Sequence, residues 1–551
     1  MVPLRSPHTV MRLARLGAAH PTRLSFLRVL LRRAARERWH VARRIWDMDA
    51  GGFGHAVYTV RMPGRSVSLV AFSQNLPEDQ RTDRVIATAW DASFVLYDGV
   101  PDAAEIARLR ANVPRQEAGR YTERDLILSR ANKSVRLFDS VARTLAGSRQ
   151  PDTAVVEDVG YLMRTTAVYG NGKFGIADRD RLAAHPAFAG PFQAEMLTVW
   201  LIRAFTVDLV EHCAQALAPR TAVALNPALR RRFGVGNSTG LGMAPFLSRH
   251  PLLLHRWMLA KETALARVRS LPCATAATWA GFRAALREAR RNVAHWHTAD
   301  AVQSARLAVL ADDLARLEQQ TGTMPAASPW DSLYRWAESA LSLEGQEYTV
   351  TLLLEPHGAL IDDLGDTLSA DEDAAVPIDG TMTTAALADL VAAHCGWAES
   401  IDFAAPEALA RFWYVSAEKL EPRLGERASE AGAELEQPLT FARDLAILRA
   451  TLAAAPVEMR VADLLMGRPD LRATVRRAQT MARYPYAEVR DNLLGAEMRP
   501  IDLLRCKLAC FGAGRFDPRS DRWLRISLFQ GAPFPAELAA CAAEASLGRA
   551  A

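Results

Sequence analysis

Lysine is nearly missing from this 551-residue chain. Five of its 67 basic residues are lysine, at positions 133, 173, 261, 419 and 507, and the rest are arginine. Together with abundant alanine this is the bias of a GC-rich genome, so arginine number alone says little about an anionic partner. Each retained lysine says more, because a buried Lys can give up its proton near neutral pH and Arg cannot. Cysteine is scarce too: six residues with no paired zinc spacing, which excludes a disulfide scaffold and a zinc module and fits a reducing cytoplasm. Only Cys506 and Cys510 are close. On a helix they share a face at i, i+4 and read as small buried hydrophobes.

Long apolar runs are also lacking. No uncharged stretch approaches the ~18–20 residues that span a bilayer, and arginine interrupts every apolar stretch of the N-terminus, so no signal peptide is expected. Nucleotide-binding loops, nucleophile elbows and HExxH pairs are absent, and no alternating βα series suggests a doubly wound sheet. No metal site is expected. With 50% hydrophobic and 23% charged residues the chain is globular, and its length lets it bury a core without staples.

Residues 1–46 hold eleven arginines and one glutamate, for a local charge of +10. Leu24, Leu27, Leu31, Ala35 and Ile45 keep a helical apolar stripe, so a basic amphipathic helix is expected from residue 22 onward. Such a helix packs on the protein's own acidic surface, lies on an anionic membrane or contacts nucleic acid. An internal acidic partner exists: residues 362–379 carry seven acids and no base.

Residues 53–62, 65–72 and 84–96 alternate as strands, with Pro63-Gly64 as a turn, and predict an antiparallel meander. Beyond residue 101 the pattern is mostly helical, including 122–147. One strand is expected at 348–355, and at most a short one within 512–535. The fold class is therefore mostly α with a small antiparallel sheet: a multi-helix body with a β-meander near the N-terminus. Three units are expected: 1–46, a meander-plus-helix domain over 47–320, and a mostly helical domain over 330–551.

Three segments carry candidate chemistry. Residues 164–175, RTTAVYGNGKFG, put three glycines around Lys173, with Arg164, Tyr169 and Asn171 as donors. Glycine lets backbone N–H groups approach an anion, and Lys173 then serves as point charge or general acid. Residues 234–246, GVGNSTGLGMAPF, precede an apolar helix, and Asn237, Ser238 and Thr239 are candidate anion ligands. Residues 483–495, RYPYAEVRDNLLG, offer Glu488 as acid or base and Arg490 as a ligand-binding cation. His55, among Gly51, Gly52 and Gly54 and close after Asp47 and Asp49, is a further catalytic candidate.

These features point to a cytoplasmic enzyme acting on a small anionic, phosphate- or carboxylate-bearing ligand. One alternative is a flavin- or nucleotide-dependent oxidoreductase. The other is a non-catalytic membrane- or nucleic-acid-binding protein acting through residues 1–46. The sequence names no cofactor, substrate or oligomeric state.

Overall fold

The computed structural model describes the chain except residues 1, 17–21, 77–89, 115–121, 166–181, 183–184, 189, 240–250, 326, 369–376, 400, 403–412, 416–421, 425–433, 437–439, 488, 490–499, 520–523 and 539–551. At 238–239, 397, 413–415, 422–424, 434–436, 440–441, 500, 503 and 507 only the backbone is described.

Helix dominates the described residues, but the sheet is neither small nor confined to the N-terminus. Nine strands form one mixed sheet reaching from residue 40 to residue 528. They are β1 (His40–Met48), β2 (Gly54–Met62), β3 (Arg65–Ser73), β4 (Ala92–Asp98), β5 (Asp125–Lys133), β6 (Tyr161–Thr165), β7 (Gly234–Thr239), β11 (Ala513–Pro518) and β12 (Leu524–Leu528). The order is β1-β2-β3-β4-β5-β6-β7-β12-β11. Three short strands, β8 (Trp413–Val415), β9 (Pro422–Leu424) and β10 (Glu434–Glu436), pair separately. All neighbours in the large sheet are antiparallel except β6 and β7, which run parallel.

The expected meander survives as β2–β4, and the surrounding expectations are corrected. Helix α1 (Phe26–Arg36) ends nine residues before the predicted stripe does. Arg38 takes a left-handed φ of 54°, and the N–H groups of Arg38 and Trp39 donate back to the carbonyls of Ala35 and Ala34, a Schellman closure. The next nine residues pair with β2 as an edge strand. Likewise 122–147 is not one helix: β5 takes Asp125–Lys133 because β4 offers a ladder, and a helix resumes at Phe138–Ala146. The strand expected at 348–355 is helical. Its β-branched and aromatic residues suggest a strand, but Leu343–Leu354 is buried on all sides and its N-cap Ser342 accepts from the Gly345 N–H. The segment 512–535 supplies β11 and β12, since β7 gives β12 a partner that no local pattern announces.

Two helices cover the sheet. Helix α2 (Ala103–Asn112) packs Ile106 and Leu109 on Val57, Val70, Phe72, Val95, Tyr97 and Leu128 on one face. Helix α3 (Gln193–Leu217) crosses the other face over β3 to β7 and is buried along most of its length. The buried Arg203 of α3 donates to the carbonyls of Phe233, Ala532 and Arg231, tying the start of β7 to the turn after β12.

The helical remainder includes α4 (Pro251–Arg269), α5 (Ala276–Ala294), α6 (Leu343–Leu354), α7 (Gly358–Asp366) and α8 (Pro500–Phe511). Cys506 and Cys510 lie on α8 and are buried, as expected of small hydrophobes. The N-terminal segment packs on this body. Arg5 donates to Glu262 at 2.8 and 2.7 Å and to Glu347 at 2.6 Å, and Lys261 donates to Glu347 at 2.8 Å. Burial opposes ionisation of Glu347, but Arg5 and Lys261 outweigh it and hold the carboxyl at about 2. Among the described residues no helix is long and apolar enough to cross a membrane.

Candidate functional site

Strand β6 is short, and that shapes the sheet around it. Its five residues pair with β5 only at Ala131–Thr165, Asn132–Arg164 and Lys133–Met163. Strand β5 extends past this pairing from Arg130 back to Asp125, and β7 runs on past the Arg164–Gly236 pair through Asn237, Ser238 and Thr239. The described part of β6 ends at Thr165, with β5 on one side and β7 on the other.

Because β6 and β7 are parallel, Thr165 and Thr239 lie toward the same end of the sheet. In the sequence the stretch containing Tyr169, Asn171 and Lys173 follows Thr165, and a glycine-containing stretch follows Thr239. The carboxyl ends of parallel strands are where open sheets bind ligands, since helix and loop connections diverge there.

Buried polar side chains lie along β5, β6 and β7 here, with Thr165 at the carboxyl end of β6 and Lys133, opposite Met163, toward its amino end. Arg164, Thr165, Asn132, Lys133 and Asn237 are all buried, as is Asp91 just before β4. Asp91 Oδ2 accepts from the Lys133 N–H at 2.9 Å, and Asn132 Oδ1 accepts from the Asp91 N–H at 2.9 Å. Those two bonds clamp β4 to β5 beside Arg164, the cross-strand partner of Asn132. The Lys133 ammonium lies 5.3 Å from the ring of Phe53 and 4.9 Å from that of Phe138. Among the described residues no carboxylate lies within ion-pair distance of it. Burial pushes the Cys213 thiol up, with Lys133 pulling the other way.

Of the candidates read from the sequence, Arg164 and Asn237 line this region, and the backbones of Ser238 and Thr239 end β7 there. Tyr169, Asn171, Lys173, Glu488 and Arg490 lie outside the described residues. His55 lies elsewhere. It sits on β2, four strand spacings from β6, or about 19 Å at ~4.8 Å per spacing. Its Nδ1 accepts from Arg110 and lies 3.2 Å from Asp47 Oδ2. Burial lowers its pKa, Arg110 lowers it further and Asp47 opposes them. An arginine N–H facing Nδ1 means that nitrogen carries no proton, so Asp47 does not orient the ring through an Nδ1–H bond as a catalytic dyad requires.

Asp91, Asn132 and Lys133 were missed as site residues. Only the scarcity of lysine marked Lys133, and the other two became visible through the β4–β5–β6 pairing. Among the described residues no three His, Cys, Asp or Glu side chains gather as a metal ligand set. No family model, curated protein or solved structure matches the chain.

Proposed function

We propose that the protein is a cytoplasmic enzyme that binds a small phosphate- or carboxylate-bearing molecule at the carboxyl ends of β6 and β7. In this reading the glycine-rich stretches after Thr165 and Thr239 cradle the anion with backbone N–H groups, and Lys173 serves as electrostatic clamp or acid–base group. The observation that carries it is the parallel pairing of β6 with β7, which puts Thr165 and Thr239, the residues that these stretches follow, toward the same end of the sheet. Buried Arg164 adds positive charge nearby. The reading through residues 1–46 is not adopted, because Arg23, Arg28 and Arg36 of that segment already pair with Asp362, Glu355 and Asp366.

Mass spectrometry of the supernatant from denatured, freshly purified protein tests the proposal. An anionic small molecule is expected to co-purify with the wild type, and its occupancy to fall at least about tenfold in Lys173→Ala while the variant stays folded. The same yield of ligand from both proteins would overturn the role of Lys173. No bound anion, and no thermal stabilisation by phosphate or carboxylate compounds, would overturn the whole reading.

A further inference from the structure

The other end of the β6–β7 pair is also built around charge. There the chain enters β6 through Gly160 and enters β7 through Gly234, whose N–H donates to the Gly160 carbonyl at 2.9 Å. A cavity of about 390 Å³ opens beside this entry, within the usual range for small-molecule sites. It is lined by Arg231, Arg232, Arg291 and Arg515, against Glu157 and Glu288, with Asn292, His295, Trp296 and Gln530 as further polar or aromatic groups.

Three of the four arginines already have carboxylates. Arg232 pairs with Glu157, Arg291 with Glu288 one turn away on α5, and Arg231 with Glu537 at 3.3 Å. Arg515 differs. It is mostly buried, no carboxylate among the described residues lies within ion-pair distance, and its Nη2 has no hydrogen-bond partner there. Burial pushes its guanidinium below the usual range, with Asp517 and Asp158 opposing from farther away. A desolvated, unneutralised cation is costly, and an incoming anion offsets that cost.

The wall around it is tightly constructed. The turn after β12 brings Gln530 against three glycines. A Cβ on Gly514 would come within 3.0 Å of Gln530, one on Gly234 within 3.1 Å of its backbone nitrogen, and one on Gly160 within 3.6 Å of its amide. His295 donates through Nδ1 to the Arg291 carbonyl at 2.6 Å, which turns its Nε2 toward Glu157 at 3.6 Å. The Trp296 indole N–H has no partner among the described residues.

We infer that this cavity is a second anion site, for a phosphate-bearing small molecule held by Arg515 and Arg291, at the amino end of the β6–β7 pair. Phosphate suits it because guanidinium N–H groups grip phosphate oxygens in a fork, and the neighbouring glutamates leave a net positive lining.

Inorganic pyrophosphate is the probe, and 19F NMR of protein carrying 5-fluorotryptophan is the readout. The Trp296 line, one of twelve, is identified by its loss in Trp296→Phe. In the wild type this line is expected to shift saturably with pyrophosphate, with half-saturation below roughly 1 mM. In Arg515→Gln the half-saturation is expected to rise at least about tenfold, and in Arg291→Gln several-fold. Arg291 is well exposed, so that variant serves if Arg515→Gln fails to fold. Lys173→Ala is expected to leave the Trp296 shift unchanged, which separates this site from the one proposed at the carboxyl ends of β6 and β7. A Trp296 line that never moves, or that moves equally in both arginine variants, would overturn the inference.

Discussion

Two cavities among the described residues are each lined by several arginines, and they differ in whether every one of these meets a carboxylate. The larger, about 920 Å³, lies where α1 meets α5 and α7. Its Arg23, Arg28 and Arg36 reach Asp362 at 2.8 Å, Glu355 at 2.5 Å and Asp366 at 2.5 Å. Asp363 on the same wall takes Arg267 at 2.7 Å. Its floor is small and apolar, from Ala277, Gly281, Ala284 and Ala285 of α5. The smaller cavity shares Glu288 and Arg291 with it but holds Arg515, whose charge no described carboxylate meets. In a chain this rich in arginine, number and clustering do not separate structural cations from ligand-binding ones. The separation comes from which guanidinium has a partner after folding.

The contrast breaks most visibly at the N-terminus. Removing residues 1–46 takes away β1, the buried face of α1 (Phe26, Leu27, Leu30 and Leu31) and Arg5. The truncated chain is expected to lose its cooperative unfolding transition, which calorimetry and near-UV circular dichroism would register. A folded, cooperative truncated protein would show that this segment only decorates the surface.

Next in size is Glu347→Ala, which leaves Arg5 and Lys261 buried without the carboxylate they share. Breaking such a buried set costs roughly 3–5 kcal/mol, so the denaturant midpoint should fall markedly. A loss under about 1 kcal/mol would mean that water reaches the cluster.

Acid should act more gently. Burial, with Arg256, lowers the pKa of His255 to about 4, and burial, with Arg23, does the same to His357. Both prefer to be neutral when folded. Their contribution is therefore complete above about pH 6.5, the ordinary histidine value, and is lost as pH falls from there toward 4. Glu347 follows at lower pH, between its ordinary value of 4.5 and about 2. Unfolding midpoints measured from pH 7 to 4 should decline, and His255→Gln should flatten the decline. An unchanged slope in that variant would place the titration elsewhere.

The smallest expected effect sharpens the contrast most. Arg515→Leu removes a half-buried cation that has no described carboxylate within ion-pair distance, so stability should change by less than about 1 kcal/mol or rise. A large loss would show that Arg515 is structural, like Arg5.

Parts of this architecture were legible along the chain. Alternation marked β2, β3 and part of β4, and helical spacing marked α2, α3, α5 and the helices at Ala301–Thr323 and Thr384–Cys395. The acids at 362, 363 and 366 were recognisable as a possible partner for the N-terminal arginines. Strands β6, β7, β11 and β12 were not legible, because each is five or six residues long and β7 is largely glycine and small polar residues. Nothing local distinguishes such segments from loops. Their ladders come from partners up to hundreds of residues away, as in Ile526 opposite Asn237. The candidate site followed the same division. Glycine, lysine and amide content singled out the stretches after Thr165 and Thr239, while Asp91, Asn132 and Lys133 became site residues only through the sheet.

The amino-acid order by itself determined the amphipathic faces, the caps, the scarcity of lysine, the positive charge of residues 1–46 and the negative charge of residues 362–379, since these are read from the chain alone. Tertiary structure alone decided that β6 and β7 run parallel and that Arg5 meets Glu347 while Arg515 has no described carboxylate within ion-pair distance. Those outcomes depend on long-range pairing and on desolvation, and both exist only once distant segments share one sheet and one core.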